Sequence, residues 1–413
     1  MNSSSSSRLR AGAAAALFAT AIAFGGASIA QESLRPEIGK PLQAAQELVK
    51  SGRYREALAK VREAEAAGAR NANETYLIER MRLAAASGAG DADTAARSYE
   101  ALSSSGRIQA GEKLRMVESI AGSYYRAQQY GKAMQWSQRY FREGGGSGAM
   151  RTMLIQSQYL SGDFAGAAKE LMVEIQAAER TGATPAEDRL KLLLNAASKQ
   201  GDNNAYIYAM EKLVTYYPKK EYWVDLLSRM QRKPNFSDRL SLDAYRLSLA
   251  TGSMTAPADF MEMAQLALQA DLASEGKQVI DKGLASGALS TGAQADRAKR
   301  LKALVDKKLA EDAASRGDEE KQAAAAKTGD PLVSLGMSLV YSGQAAKGVQ
   351  LMQQGIAKGG LKRPEDAKLH LGIAQLIAGD KAKAQATFKT VQGNDGTADL
   401  ARLWSLHARR GAA

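Results

Sequence analysis

The 413-residue sequence predicts an all-α fold, an α-solenoid of roughly nine to ten helical hairpins. Three observations carry this reading. Gly52, Gly90, Gly162, Gly201, Gly343 and Gly379 recur at intervals of about one hairpin; a small residue follows most of them five positions on; a large apolar residue follows nine positions on. From turn to turn the spacing is 38, 38, 34, 39, 33 and 36 residues as far as Ala270, then 73, then 36, with Gln128 and Pro234 standing at two of the turns. The 73 is two periods, so one turn is hidden between Ala270 and Gly343.

The N-terminus reads as an export signal, residues 1–30. Arg8 and Arg10 supply a positive region, Ala11 to Phe24 the apolar stretch, and Ser28-Ile29-Ala30 a small-residue site that predicts cleavage before Gln31. An uncleaved anchor is the alternative, since Ala11 to Ala30 is just long enough to span a bilayer. No later stretch is long and apolar enough to cross. The sequence holds no cysteine, so it offers no lipid-attachment site and no disulfide to brace it in an oxidising compartment. These features place the chain in the periplasm, not as a lipoprotein.

Residues 31–283 read as the N-terminal array of hairpins. A glycine between two helices takes the left-handed angles that end the first without a Cβ clash. Ala57, Ala95, Ala133, Ala167, Gly348 and Ala384 mark places where two helix backbones approach closely. Val61, Tyr99, Leu171, Met210, Val279, Met352 and Phe388 share the same helix face and fill the space between neighbouring hairpins. Tyr206 and Arg239 stand where a small residue belongs, and Ser137 and Asp243 where a large apolar one belongs. A shift of one residue near Pro234 puts Leu240, Ala244 and Leu247 on one face, which reads as a degenerate repeat with a local change of geometry.

Residues 284–330 form an Ala/Lys-rich degenerate helical repeat. Leu301, Leu304, Val305 and Leu309 make a helical stripe among Arg297, Lys299, Arg300, Lys302, Lys307 and Lys308. A basic arm for an anionic partner and a solvated outer face both fit that pattern, and Asp318, Glu319 and Glu320 favour the solvated face. Residues 331–413 read as a final pair of hairpins with a capping helix from Ala398 to Arg410, on which Leu400, Leu403, Trp404 and His407 share one side. Few valine or isoleucine runs read as strands, and the middle of the chain has no Pro-rich or Ser-rich linker, which favours one elongated array over separate domains.

The closest matches to a known pattern are Leu335-Gly336 with Leu339, Gly343, Gly348 and Met352; Leu371-Gly372 with Gly379, Ala384 and Phe388; and the stretch from Ser51 to Ala64 with Tyr54. Trp223 opening a helix and Pro218 closing the unit before it fit as well. In these residues the chain resembles the tetratricopeptide repeat family, most closely as an exported bacterial member. The resemblance covers most of residues 34–410, and it implies a non-catalytic scaffold that binds a protein or peptide in a concave groove.

Candidate binding residues follow from two patterns. The spans 124–164 and 206–245 hold 16 of the 25 aromatic side chains, and aromatics are enriched where partners bind because they bury large area at small entropic cost. By the family register the first helices of the repeats line the groove, which places Tyr125, Gln156, Tyr159, Asn195 and Tyr341 there and leaves Tyr124 and Tyr130 in the core. Tyr222 and Trp223 belong to the second aromatic span. A cation stands two residues before four of the turns, Lys50, Arg126, Lys199 and Arg232, where stacked repeats would align them to hold carboxylates of an extended peptide. The other reading of these cations is the favourable placement of positive charge at a helix C-terminus. The carboxylate clamp of chaperone-binding family members is not visible.

Catalytic, metal and cofactor constellations are absent from the sequence. Its only histidines are His370 and His407, with no metal-ligand spacing, and Gly144-Gly145-Gly146-Ser147-Gly148 lacks the lysine and preceding strand of a phosphate loop. The formal charge is +12, or +10 without Arg8 and Arg10. That balance favours acidic proteins, anionic cell-wall polymer or lipid head groups, and nucleic acid is not expected after export. The sequence therefore predicts an envelope protein or peptide as partner. Binding of anionic polymer or membrane surface, and service as a non-catalytic subunit of a cell-wall enzyme, are the alternatives. The stretch from Tyr216 to Trp223 also resembles accessory proteins of TonB-type systems.

Overall fold

A computed structural model describes residues 34–409, so the segment expected to be an export signal, residues 1–30, and Arg410 lie outside the described residues. The chain is all-α: twenty α-helices, one short 3-10 turn and no strand among the described residues. It divides into two compact units, one ending at Ala167 and one beginning at Ala168.

In the first unit the helices run α1 (Pro36–Lys50), α2 (Tyr54–Glu65), α3 (Ala72–Ala89), α4 (Ala92–Ser104), α5 (Ala110–Arg126), α6 (Tyr130–Arg142) and α7 (Gly148–Ser161), and the boundary falls inside α8 (Phe164–Arg180). Helices α1, α3 and α5 are the first members of their pairs, and each packs on both its own second helix and the next first helix. This is the stacking that lets each pair cover its neighbour's apolar face.

The second unit contains α9 (Glu187–Gln200), α10 (Asn203–Tyr216), α11 (Lys220–Gln231), α12 (Ser241–Thr251), α13 (Pro257–Gln269), α14 (Ala273–Ala285), α15 (Gly292–Ala325), α16 (Asp330–Tyr341), α17 (Ala345–Lys358), α18 (Pro364–Ile377), α19 (Lys381–Phe388) and α20 (Thr397–Arg409).

All six periodic glycines sit between helices with φ from +76° to +88°, and Gln128 takes the same left-handed conformation at +58°. At the seventh turn the left-handed residue is Asp271, one beyond Ala270, at +56°. Chain direction is reinforced at helix starts. Asn71 accepts from the Glu74 amide while Glu74 accepts from the Asn71 amide, and Asp91, Asp202 and Asp380 each accept from an amide of the helix they precede. Arg35 also grips the Glu74 carboxylate at 2.8 Å, and that hydrogen bond, more than any other contact, lowers its pKa to about 2.

The small and large positions both lie in the core. Ala57, Ala95, Ala133, Ala167 and Ala384 are fully buried, and so are Val61, Tyr99, Leu171 and Met352. The tightest packing joins α16 to α17, where a Cβ on Gly348 would stand 2.4 Å from the Gly336 carbonyl oxygen and one on Gly336 would stand 2.7 Å from that of Gly348. Ser137 is also buried, at a place that the repeat reserves for a large apolar side chain, and its hydroxyl has no partner among the described residues.

Three features depart from the simple period. The expected hidden turn between Ala270 and Gly343 does not form, because Gly292–Ala325 is one continuous 34-residue helix. Its sequence explains this: alanine and charged residues with high helix propensity run through the midpoint without a glycine or proline to stop them. Around Pro234 the chain leaves helix after Gln231, makes a 3-10 turn at Asp238–Leu240 and re-enters helix at Ser241. Helix α12 then packs against α11, α13 and α20, and its side chains reach α14 and α18.

The last helix does more than cover an end. It packs on α18 and α19 and also on α10 and α12, closing the second unit on itself. Lys233 pairs with Asp399 at 2.6 Å, Arg402 with Glu211 at 3.0 Å, and Arg239 with Asp366 and Asp395 at 2.7 and 2.8 Å. Trp404 stacks on Phe388, and His407 stands edge-on to both Trp404 and Trp223.

Candidate functional site

The sequence-derived binding residues fall on the first helices of their pairs, except Arg232, which stands just past the end of α11, but the two units use them differently. In the first unit Tyr125 and Arg126 end α5, and Gln156 and Tyr159 lie on α7, which packs against α5. The Tyr125 hydroxyl donates to Gln156 Oε1 at 2.9 Å. The Tyr125 ring meets Tyr130 edge-on at 5.5 Å, and Tyr159 meets Phe164 edge-on at 5.4 Å. Tyr125 and Tyr159 are half-buried while Arg126 and Gln156 are exposed, so this face combines two anchored rings with an amide and a cation. Among the described residues Arg126 donates only to its own helix, at Ser123 Oγ. Tyr124 is core, as the register predicts, with its hydroxyl on Asp93 at 2.8 Å. Tyr130 is half-buried and supports Tyr125 from the side.

In the second unit the aromatic side chains hold helices together. Tyr222 donates to Glu187, which also takes Lys219 at 2.6 Å and Lys191 at 2.9 Å. Tyr216 donates to Glu179 at 2.7 Å, Tyr217 to the Pro185 carbonyl at 3.0 Å, and Tyr206 to Asp225. Burial first and Glu179 second push the Tyr216 hydroxyl up to about 12. Trp223 has no exposed surface and packs against His407 of α20, which makes it a contact within the unit. Asn195, Lys199 and Arg232 are exposed. Tyr341 closes α16: its carbonyl accepts from Gln278 at 2.7 Å, and its ring lies 5.6 Å from the Arg246 guanidinium.

Sequence reasoning missed one group altogether. Arg246 is buried and donates through Nε and one terminal nitrogen to both oxygens of Glu275, at 2.7 and 2.6 Å, and through the other to Asp243 at 2.7 Å. His370 Nε2 stands 3.1 Å from the second Asp243 oxygen. Burial pushes Asp243 up, but the charges of His370 and Arg246 outweigh it and hold the carboxyl well below the usual range. Every carboxylate oxygen in the cluster is engaged. The cluster ties α12 to α14 and α18. Its one visible signal in the sequence is Asp243 standing where a large apolar residue belongs.

Beside the cluster lies a cavity of about 280 Å³, with Glu275 and Tyr341 at its polar end and Val340, Ile373, Leu376 and Trp404 along its apolar wall. Among the described residues no group of three or more acidic, histidine or cysteine side chains is placed to hold a metal ion, and no helix is long and apolar enough to cross a membrane.

No protein-family model matches the chain, and no curated protein matches it. Solved structures that align with it include yeast Tom70, at 12% identity over 91% of this chain and 96% of that one, with a TM-score of 0.24. The TPR2AB domain of yeast Sti1 in complex with pHSP90 aligns at 13% identity over 72% of this chain and 99% of that one, TM-score 0.23. The maize pentatricopeptide repeat protein PPR10 aligns at 14% over 88% of this chain and 61% of that one, TM-score 0.27. At TM-scores this low the alignments carry no functional weight, and the repeat architecture rests on the helix pairs described above.

Proposed function

We propose that the chain is an exported scaffold of the tetratricopeptide type, working in the periplasm, that holds an envelope protein or peptide against the α5–α7 face of its first unit. The observation that carries this reading is the Tyr125–Gln156 hydrogen bond across neighbouring first helices, which fixes an aromatic and an amide side by side at the surface with Arg126 and Tyr159. Anchored tyrosines lose little entropy on binding, and a partner carboxylate would meet the Arg126 guanidinium. Service as an accessory of a TonB-type system is the narrower form of the same reading, supported only by the stretch from Tyr216 to Trp223.

Cross-linked capture from an envelope extract tests it, comparing the chain from Gln31 onward with a Tyr125→Ala/Tyr159→Ala variant. The variant should lose on the order of tenfold or more of the specific catch, the scale of two hot-spot truncations. An unchanged catch sinks the α5–α7 assignment. The formal charge of +10 supports a second reading, a binder of anionic polymer or membrane surface. The two separate by salt: surface electrostatics fall away as the screening length shortens, whereas ring burial persists.

A further inference from the structure

Helix α15 runs unbroken from Gly292 to Ala325. Its first half packs beside α13 and α14, and α16 lies against both α14 and α15. Between α13 and the first half of α15 is an open groove of about 620 Å³.

The groove has two walls of helical spacing. Ala258, Met261 and Gln265 form one on α13, and Arg297, Leu301 and Leu304 the other on α15. Each row spans about 10 Å, two helical turns. Met261 and Leu301 are buried at its floor, while Leu304 is 55% exposed on the rim.

Charge is distributed unevenly along α15. Lys302 pairs with Asp281 and Asp306, Lys307 with Glu311, and Lys308 with Asp312. Arg297, Lys299 and Arg300 have no ion-pair partner among the described residues, and Arg297 and Arg300 line the groove. One carboxylate, Glu262, stands on the opposite wall, so the rim keeps a positive excess.

From the helical spacing of its walls, the apolar floor and the two unpaired arginines, we infer that this groove docks an acidic amphipathic helix supplied by another protein. Two turns of such a helix would set leucine-type side chains on Met261, Leu301 and Leu304 and its carboxylates against Arg297 and Arg300. The surface is separate from the α5–α7 face and stands or falls independently of it.

A labelled 14-residue helical peptide with leucines on one face and glutamates on the other is the probe, with a second in which every glutamate is lysine. Fluorescence anisotropy on the chain from Gln31 onward should show the glutamate peptide binding on the order of tenfold or more tightly than the lysine peptide, with strong salt dependence. Arg297→Glu/Arg300→Glu should invert that preference, and Glu262→Lys should tighten the glutamate peptide further. All three residues are exposed, and unchanged helical circular dichroism will show that the variants fold. Equal affinity for the two peptides overturns the proposal, as does binding that ignores both variants. So does a groove whose variants change only self-association or only binding to anionic vesicles, for then a second copy or a lipid surface is the occupant.

Discussion

Gly348 and Gly336 show how far one atom can matter in this molecule. Their helices touch backbone to backbone, so a methyl group on Gly348 has no flexible neighbour to displace. Gly348→Ala should lower the stability of the second unit by about 1–3 kcal/mol, read as a shift in urea midpoint, despite alanine's better helix propensity. Gly111 in α5 is the control, because nothing stands within 4 Å of an added Cβ there. Gly111→Ala should be neutral or stabilising by up to about 1 kcal/mol. The small-residue pattern was legible in the sequence, and the reason for glycine over alanine at 348 was not, since it depends on the facing Gly336 carbonyl.

At the scale of elements, α12 presents the sharpest contrast between local rule and tertiary outcome. A helix of eleven residues carrying a buried aspartate and a buried arginine breaks the apolar pattern, and it holds because α14 and α18 supply Glu275 and His370 as partners. Asp243→Asn removes the charge that Arg246 and His370 face, and stability at neutral pH should fall by about 3 kcal/mol. The acid limb should change as well. Asp243 ionises more readily folded than unfolded, so its contribution is full above the ordinary carboxylate value and is lost as pH falls through that value toward the folded one. Urea midpoints taken from about pH 6 down to pH 2 should therefore fall less steeply for Asp243→Asn than for the native chain. Equal slopes would show that other carboxylates set the acid limb.

At the scale of the whole molecule, the chain divides into two compact units, and the helices that α20 packs on all lie in the second. Removing residues 397–413 strips Asp399, Arg402, Trp404 and His407 from α10, α11 and their neighbours. Amide exchange should then accelerate in α10 and α12 by well over tenfold, while α1 to α6 keep their protection, because local opening follows the contacts that hold each element. Acceleration spread evenly over both units would mean that they unfold as one. A single array was the sequence expectation, and no linker marks the boundary because it falls within the continuous helix α8.

By itself the sequence determined the helix pairs, the turns with their left-handed glycines, and the small and large positions of the core. These depend on backbone preference and on side-chain spacing within about forty residues, and both are written locally. The tertiary structure alone decided that Trp223 meets His407, that the hydroxyls of Tyr216, Tyr222 and Tyr206 end on Glu179, Glu187 and Asp225, that Asp243 finds His370 127 residues away, and that α20 returns to α10. Such pairings are set by which surfaces the stacked helices bring together. A buried charge or an exposed leucine acquires its meaning only once its neighbour from a distant part of the chain is in place.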